Sequence, residues 1–276
     1  FMYDVIIIGG GPAGITAGIY IKRAGFKVLI ISKGEGALIR TEKIENYYGF
    51  ETPISGKELI EKGEKQAKNL GIELIKKEVI GIKYTESGFE VMVANQAKDE
   101  KYVTKIVVIA TGVNRNKPNM KGLQEFEGKG VSYCAICDSF FYKEKDVAVL
   151  GEGNYAIHEF ETLKPVVNSV TIFTNGNRII ENRSNGLKVN DKKIREFRGN
   201  GKLEEVEFED NTKQKISGVF VAVGTASSTD IARKIGARIE NNNIVVNENM
   251  ETTVPGLFAC GDCTGGLLQI SKAIYE

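Results

Sequence analysis

The first apolar run of the chain, Tyr3-Asp4-Val5-Ile6-Ile7-Ile8, is almost unbroken, as expected of a strand buried on both faces of a parallel sheet. Gly9-Gly10-Gly11-Pro12-Ala13-Gly14 follows at once, then a small-residue helix over Ile15–Ala24 closed by Gly25, and a second strand over Lys27–Ile31. The same order returns later. Lys145-Asp146-Val147-Ala148-Val149-Leu150 predicts a strand and Gly151-Glu152-Gly153-Asn154-Tyr155-Ala156 a loop; a helix over about 157–163 and a strand over Ser169–Phe173 follow. Val107–Ala110, Val219–Val223 and Gly256–Ala259 read as further buried strands. The pattern predicts an α/β chain of two Rossmann-like, three-layer, doubly wound domains, the second inserted in the first. Its expected boundaries are 1–115 with 236–276 for the outer domain and 116–235 for the insert, with Asn114–Pro118 as a linker. Two crossings through Pro- and Gly-marked segments predict a hinge.

Composition narrows the class. The 37 Lys+Arg against 36 Asp+Glu argue against bulk binding to nucleic acid or an anionic membrane. No apolar run approaches the ~20 residues of a membrane span, and the start carries no signal-peptide pattern. A soluble, cytoplasmic protein is expected. Four cysteines in 276 residues are too few for a disulfide scaffold and fit a catalytic pair. Phe1 ahead of Met2 reads as a foreign leading residue, and the stop at Lys272–Glu276 inside an expected helix implies a further C-terminal tail.

Gly9, Gly11 and Gly14 fall in GxGxxG spacing between a strand and a helix. The first permits the tight turn, the second lets backbone approach a pyrophosphate, and the third lets helix and strand pack closely. Free N–H groups at the helix start, around Pro12 and Ala13, favour phosphate. The acid expected to hold the ribose is replaced by Ser32-Lys33-Gly34-Glu35, so Ser32, Glu35 or backbone would serve.

Three more segments add to this. Ile109-Ala110-Thr111-Gly112 ends a strand in an Ala-Thr-Gly turn. Ala259-Cys260-Gly261-Asp262 ends another in Gly-Asp, and Glu45-Asn46-Tyr47-Tyr48-Gly49-Phe50 lies between the first unit and the Ala-Thr-Gly strand. With Cys134-Ala135-Ile136-Cys137-Asp138 inside the insert, the chain resembles the low-molecular-weight thioredoxin reductases over nearly its whole length. The resemblance implies a homodimeric FAD enzyme that reduces thioredoxin through a redox-active disulfide. It places Asn46, Thr111, Gly112 and Gly261 at the flavin, Asp262 on its ribityl chain, and Leu268 and Gln269 beside its ring.

Two thiols in CxxC spacing at a helix start can close a disulfide, the helix dipole lowers the pKa of the leading thiol, and Asp138 could exchange its proton. Half a zinc site is the competing reading, against which the chain has a single histidine, His158; no metal is expected. By resemblance, Cys137 faces the flavin and Cys134 attacks the substrate disulfide. A second CxxC, Cys260–Cys263, overlaps the Gly-Asp motif, and Cys260 reads as a small buried apolar side chain, with a role for Cys263 near the flavin left open.

In the NADPH-dependent family a His-Arg-Arg cluster follows the second strand of the insert. Here Phe173-Thr174-Asn175-Gly176-Asn177 stands there, with neither a cation for a 2′-phosphate nor an acid for a ribose. Tyr155 sits where the family carries a small residue; its ring either fills pyrophosphate space or faces solvent. The resemblance sharpens toward ferredoxin-dependent flavin thioredoxin reductases lacking pyridine-nucleotide motifs, with ferredoxin as donor. Alternatives are NADPH or NADH through an altered site, and a flavin-bearing redox sensor. Acidic ferredoxin would dock on a basic face, either Lys192, Lys193, Arg195, Arg198 and Lys202 or Arg115, Lys117 and Lys121.

Overall fold

The computed structural model describes residues 2–34, 36–95, 98–113, 118–179 and 186–276. By its internal contacts the chain divides into two compact units, Phe1–Asn114 with Ser227–Glu276, and Arg115–Ala226. Glu35, Arg115, Lys117 and Arg183, and the expected linker at 114–117, lie outside the described residues.

In the first unit β1 (Met2–Ile8) runs into α1 (Pro12–Arg23) and β2 (Val28–Ile31). The helix starts at Pro12, earlier than the small residues suggest, because proline's fixed φ suits the first helical position and costs no hydrogen bond there. α2 (Gly56–Asn69) leads to β3 (Glu73–Ile75). Then β4 (Val79–Thr85), β5 (Gly88–Val93) and β6 (Glu100–Ile109) form an antiparallel meander. The sheet order is β3-β2-β1-β6-β5-β4, with β1 parallel to both β2 and β6.

In the second unit β7 (Val131–Ser132) precedes α3 (Ala135–Asp138), and β8 (Asp146–Leu150), α4 (Asn154–Leu163) and β9 (Ser169–Phe173) follow. β10 (Val189–Asn190), β11 (Ile194–Arg198), β12 (Glu205–Phe208), β13 (Lys213–Lys215) and β14 (Gly218–Val221) complete it. The order β10-β9-β8-β14-β7 is all parallel, and β11–β13 form a separate antiparallel sheet. Strand alternation decides what covers this sheet. Ala148, Leu150, Val219 and Val221 join Phe197, Val206 and Phe208 of the antiparallel sheet in one buried cluster. Phe173 meets Phe208 edge-on at 5.6 Å. The antiparallel ribbon therefore covers the face that these residues present.

The chain then re-enters the first unit at Ser227, ahead of the Gly236 expected from the sequence. α5 (Ser228–Lys234), assigned to the insert by the sequence boundary, packs on β4, and Ser228 Oγ donates to Gly112 O at 3.1 Å. Nothing in its composition marks which sheet it leans on. β15 (Ile239–Glu240), β16 (Asn243–Ile244), β17 (Leu257–Ala259) and α6 (Ile270–Tyr275) follow. β17 pairs in parallel with the C-terminal half of β6, Leu257 opposite Val107 and Ala259 opposite Ile109. No helix among the described residues is long and apolar enough to cross a membrane.

A full capping box opens α5, since Ser227 Oγ accepts Asp230 N–H and Ser227 N–H donates back to the Asp230 carboxylate. Ser227→Ala is expected to cost about 1 kcal/mol. Native-state hydrogen exchange should speed up in α5 and β4 while β8 and β14 keep their protection.

Candidate active site

The first loop is built by contact, not composition. Gly9 has φ +119°, and a Cβ there would strike Ala110 O; one at Gly14 would strike Gly9 O. Both glycines are thus required by close backbone approach. A Cβ on Gly11 would meet nothing within 4 Å, which leaves that backbone open to a ligand. α1 has Gly11 as N-cap, no side-chain cap and no acid in its first turn. Its leading N–H groups and positive dipole end suit a pyrophosphate.

Distant motifs converge on this loop. β17 brings Gly261 to α1, where a Cβ would lie 2.9 Å from Ala13 Cβ, so Asp262 stands on the turn beside the loop. Asn46 Nδ2 donates to Gln269 Oε1 at 3.1 Å across 223 residues. Thr111 and Gly112 continue from β6 next to Gly9, and Leu268 is partly exposed ahead of α6. Ser32 is buried and donates to Gly34 O at 2.9 Å. The open Gly11 backbone, the uncapped helix start and the converging Asp262 fit FAD.

In the second unit Cys134 and Cys137 form a disulfide with Cα atoms 5.3 Å apart. Cys134 caps the short helix it opens, its Sγ accepting Cys137 N–H at 3.2 Å. Ser132 Oγ accepts Cys134 N–H at 3.1 Å and donates to Asp138 Oδ2 at 2.6 Å, which holds the carboxylate beside the pair. Burial, and then the Asp138 carboxylate, push the Tyr142 phenol up. From α4, Glu159 accepts Ala135 N–H at 3.0 Å. Cys134 is 2% exposed, whereas Cys137 is exposed, and Phe140 and Phe141 beside the pair are 77% and 69% exposed. Sequence reading missed Ser132 and Glu159. The available signal for the latter is spacing: Glu159 stands three residues after Ala156 and four before Leu163, on the apolar stripe of α4.

The second glycine loop has the form of the first. Gly151 has φ +155° and a Cβ there would strike Ala222 O, as Gly9 relates to Ala110. α4 starts at Asn154, earlier than 157, on an uncapped Gly153, and ends before Pro165. Tyr155 is 1% exposed, so the solvent-facing alternative fails; its ring belongs to the interior. At the end of β9, Thr174 Oγ1 donates to Asn177 O at 2.6 Å and Asn175 Oδ1 accepts Ile194 N–H at 2.8 Å. Thr174 N–H donates to Asn190 O and Gly176 N–H to Asp191 O. The turn at the end of β9 is thus hydrogen-bonded to β10 and to the start of β11.

The first candidate basic patch is largely neutralised. Arg195 pairs with Glu207, Arg198 with Glu196 and Glu207, and Lys192 with Asp210; Lys121, of the second cluster, pairs with Glu196.

A family model described as pyridine nucleotide-disulphide oxidoreductase matches residues 3–276. The thioredoxin reductase of Aquifex aeolicus is 37% identical, with 95% of this chain and 85% of that protein covered. The atypical thioredoxin reductase TRi of Desulfovibrio vulgaris Hildenborough superposes with a TM-score of 0.92 at 35% identity, covering 99% of this chain and 94% of that one. The chain belongs to the thioredoxin reductases of this family. A ferredoxin-flavin thioredoxin reductase from Clostridium acetobutylicum follows at a TM-score of 0.71 and 29% identity, covering 100% and 94%. As in its relatives, the chain is a flavin-dependent disulfide oxidoreductase.

The second CxxC of this thioredoxin reductase is inert by comparison. Cys260 is 3% and Cys263 1% exposed, and Cys263 Sγ donates to Ile109 O and Cys260 O. Burial pushes the Cys260 thiol up to about 12 and the Cys263 thiol up as well. Thiolate is the reactive form, so neither should react at neutral pH. Iodoacetamide on the reduced native protein at pH 8 should label the Cys134–Cys137 peptide and spare Cys260 and Cys263 until denaturant is added.

Proposed function

We propose that this chain reduces the disulfide of a thioredoxin through Cys134 and Cys137, with FAD in the first unit and ferredoxin as electron donor. One observation carries the choice of donor. The polar groups of Thr174 and Asn175, at the end of β9, are spent on Asn177 and Ile194, which withdraws both from the adenosine end of a nicotinamide and from charge-assisted bonds to a phosphate there. The name of the relative from Clostridium acetobutylicum supports the same donor.

Gly9, Gly11 and the first amides of α1 would hold the FAD pyrophosphate, with Pro12, Ala13 and Gly14 shaping that turn. Asp262 with Gly261 would hold the ribityl chain, and Asn46, Thr111, Gly112, Leu268 and Gln269 would lie toward the ring. Ser32 would meet the ribose through its loop. When bound, FAD supplies a centre that takes electrons singly or in pairs and delivers a pair to a disulfide.

The residues of the dithiol do the rest. Once Cys134–Cys137 is opened to two thiols, one thiolate attacks the thioredoxin disulfide and forms a mixed disulfide, releasing a thioredoxin thiolate. The remaining thiolate attacks that bond, frees the reduced thioredoxin and restores Cys134–Cys137. Asp138, held by Ser132, exchanges the proton. The exposed Phe140 and Phe141 give an apolar anchor for the partner. The role of attacker belongs to Cys134 by resemblance, yet Cys137 is the exposed sulfur. Attack by Cys134 therefore needs its surroundings to open; the expected hinge would alternate the dithiol between the flavin and the protein disulfide.

A nicotinamide donor is favoured by one feature, the retained Gly151 turn ahead of an uncapped α4. Parallel anaerobic assays of the holoprotein with reduced ferredoxin, NADPH and NADH, reading thioredoxin thiols, separate the two. Ferredoxin should sustain thioredoxin reduction. The nicotinamides should be slower by roughly a hundredfold to ten-thousandfold, as expected for two lost charge-assisted hydrogen bonds of ~1.5–3 kcal/mol each. Comparable rates with NADPH would contradict the donor, and no thioredoxin reduction with any donor would contradict the substrate.

A further inference from the structure

We propose that Glu159 is the positioning residue of the dithiol: by accepting Ala135 N–H it holds the first turn of α3 in the geometry that closes the Cys134–Cys137 disulfide. This rests on the reading of that pair as the redox centre.

Four residues, Ala135–Asp138, make a single turn. One turn has too few internal hydrogen bonds to hold its own shape. Its geometry has to come from partners outside it. The leading N–H groups of any helix lack intrahelical acceptors, and here two of them find acceptors of different kinds. Cys137 N–H is taken by Cys134 Sγ, and Ala135 N–H by Glu159 Oε2 at 3.0 Å. Ser132 Oγ takes Cys134 N–H from the other side. The bond from Cys134 Sγ lies within the CxxC itself, and its sulfur changes state each time the disulfide opens. The Glu159 bond does not involve either sulfur and persists through the cycle.

Burial makes that bond costly to lose. Ala135 is 0% and Glu159 1% exposed, so water does not replace the carboxylate. A buried N–H left without an acceptor is strongly disfavoured. Without Glu159 the turn has to rotate toward solvent to satisfy Ala135, and it carries Cys134 with it. Disulfide closure needs the two Cα atoms within a narrow range, and their 5.3 Å separation is set by this turn. Glu159 stands on α4 four residues beyond Tyr155, on the same side of that helix. Tyr155 is fully buried, which ties Glu159 to a rigid mount. Removing the acceptor thus lowers the effective concentration of one thiol for the other, and the equilibrium moves from disulfide toward dithiol.

The test is the thiol–disulfide equilibrium of the holoprotein in glutathione buffers, read by alkylation and mass of the 134–137 peptide. It requires neither donor nor thioredoxin, so a failure here is separable from a failure of the proposed function. Glu159→Ala should shift the equilibrium toward dithiol by about tenfold, ~30 mV for a two-electron couple. Glu159→Asp keeps the charge but withdraws the oxygen by one methylene, and should shift it as far. Glu159→Gln keeps an acceptor and should stay within about threefold of the parent. If Ala does not fold, the order of Asp and Gln decides. An Asp variant at the parental equilibrium, with Gln displaced, would overturn the proposal in favour of a pure charge effect. Equilibria unchanged in all folded variants would overturn it in favour of a merely structural residue.

Discussion

The ladder along β6 is the constraint on which the first unit depends. Its N-terminal half pairs with β5, its C-terminal half with β17, and its other edge runs parallel to β1 from Met2 to Ile8. That register sets Ile8 opposite Ile109 and Ala259 opposite Ile109. Gly9, Ala110 and Cys260 therefore leave the sheet together. Three stretches far apart in the chain deliver a glycine loop, an Ala-Thr-Gly turn and a Gly-Asp turn to one sheet edge. Ligands of open parallel sheets bind at such carboxyl ends, and the backbone order alone assigns the site.

The second unit repeats the frame and uses it differently. Gly151 N–H bonds Phe173 O as Gly9 N–H bonds Ile31 O, so the strand, loop and helix start are alike. The two loops diverge at the next strand end. Ser32 there turns to Gly34, whereas Thr174 and Asn175 turn to Asn177 and the start of β11. α4, the helix after the second glycine loop, also carries Glu159, whose carboxylate accepts Ala135 N–H at the dithiol turn. A helix fixed by a buried tyrosine at one end and by core packing below makes a stiff mount for a four-residue helix. The chain has kept the scaffold that presents the disulfide even where its binding groups are committed elsewhere.

Much of this was legible because backbone demands are written in single residues. Apolar runs such as Val5–Ile8 and Val147–Leu150 marked doubly buried strands, and the positions of Gly9, Gly14 and Gly151 follow from close contacts that only glycine tolerates. The CxxC pair was equally plain. What stayed hidden depends on side-chain partners that spacing does not encode. α5 looked like part of the insert because its sequence does not say which sheet it touches. The basic stretch around Arg195 and Arg198 reads as a docking face, although Glu196 and Glu207 on adjacent strands pair with both arginines. Tyr155 was readable as unusual but not as interior. Glu159 is a carboxylate on an apolar helix, and only the fold brings Ala135 to it.

The central claim is that Cys134 and Cys137 are an electron-accepting pair in the working protein. Anaerobic reductive titration of the FAD-loaded chain measures this directly, comparing it with the Cys134→Ser, Cys137→Ser double variant. The parent should take up one more electron pair per flavin than the variant, with two thiols appearing in the 134–137 peptide. Equal uptake by the two proteins would contradict it.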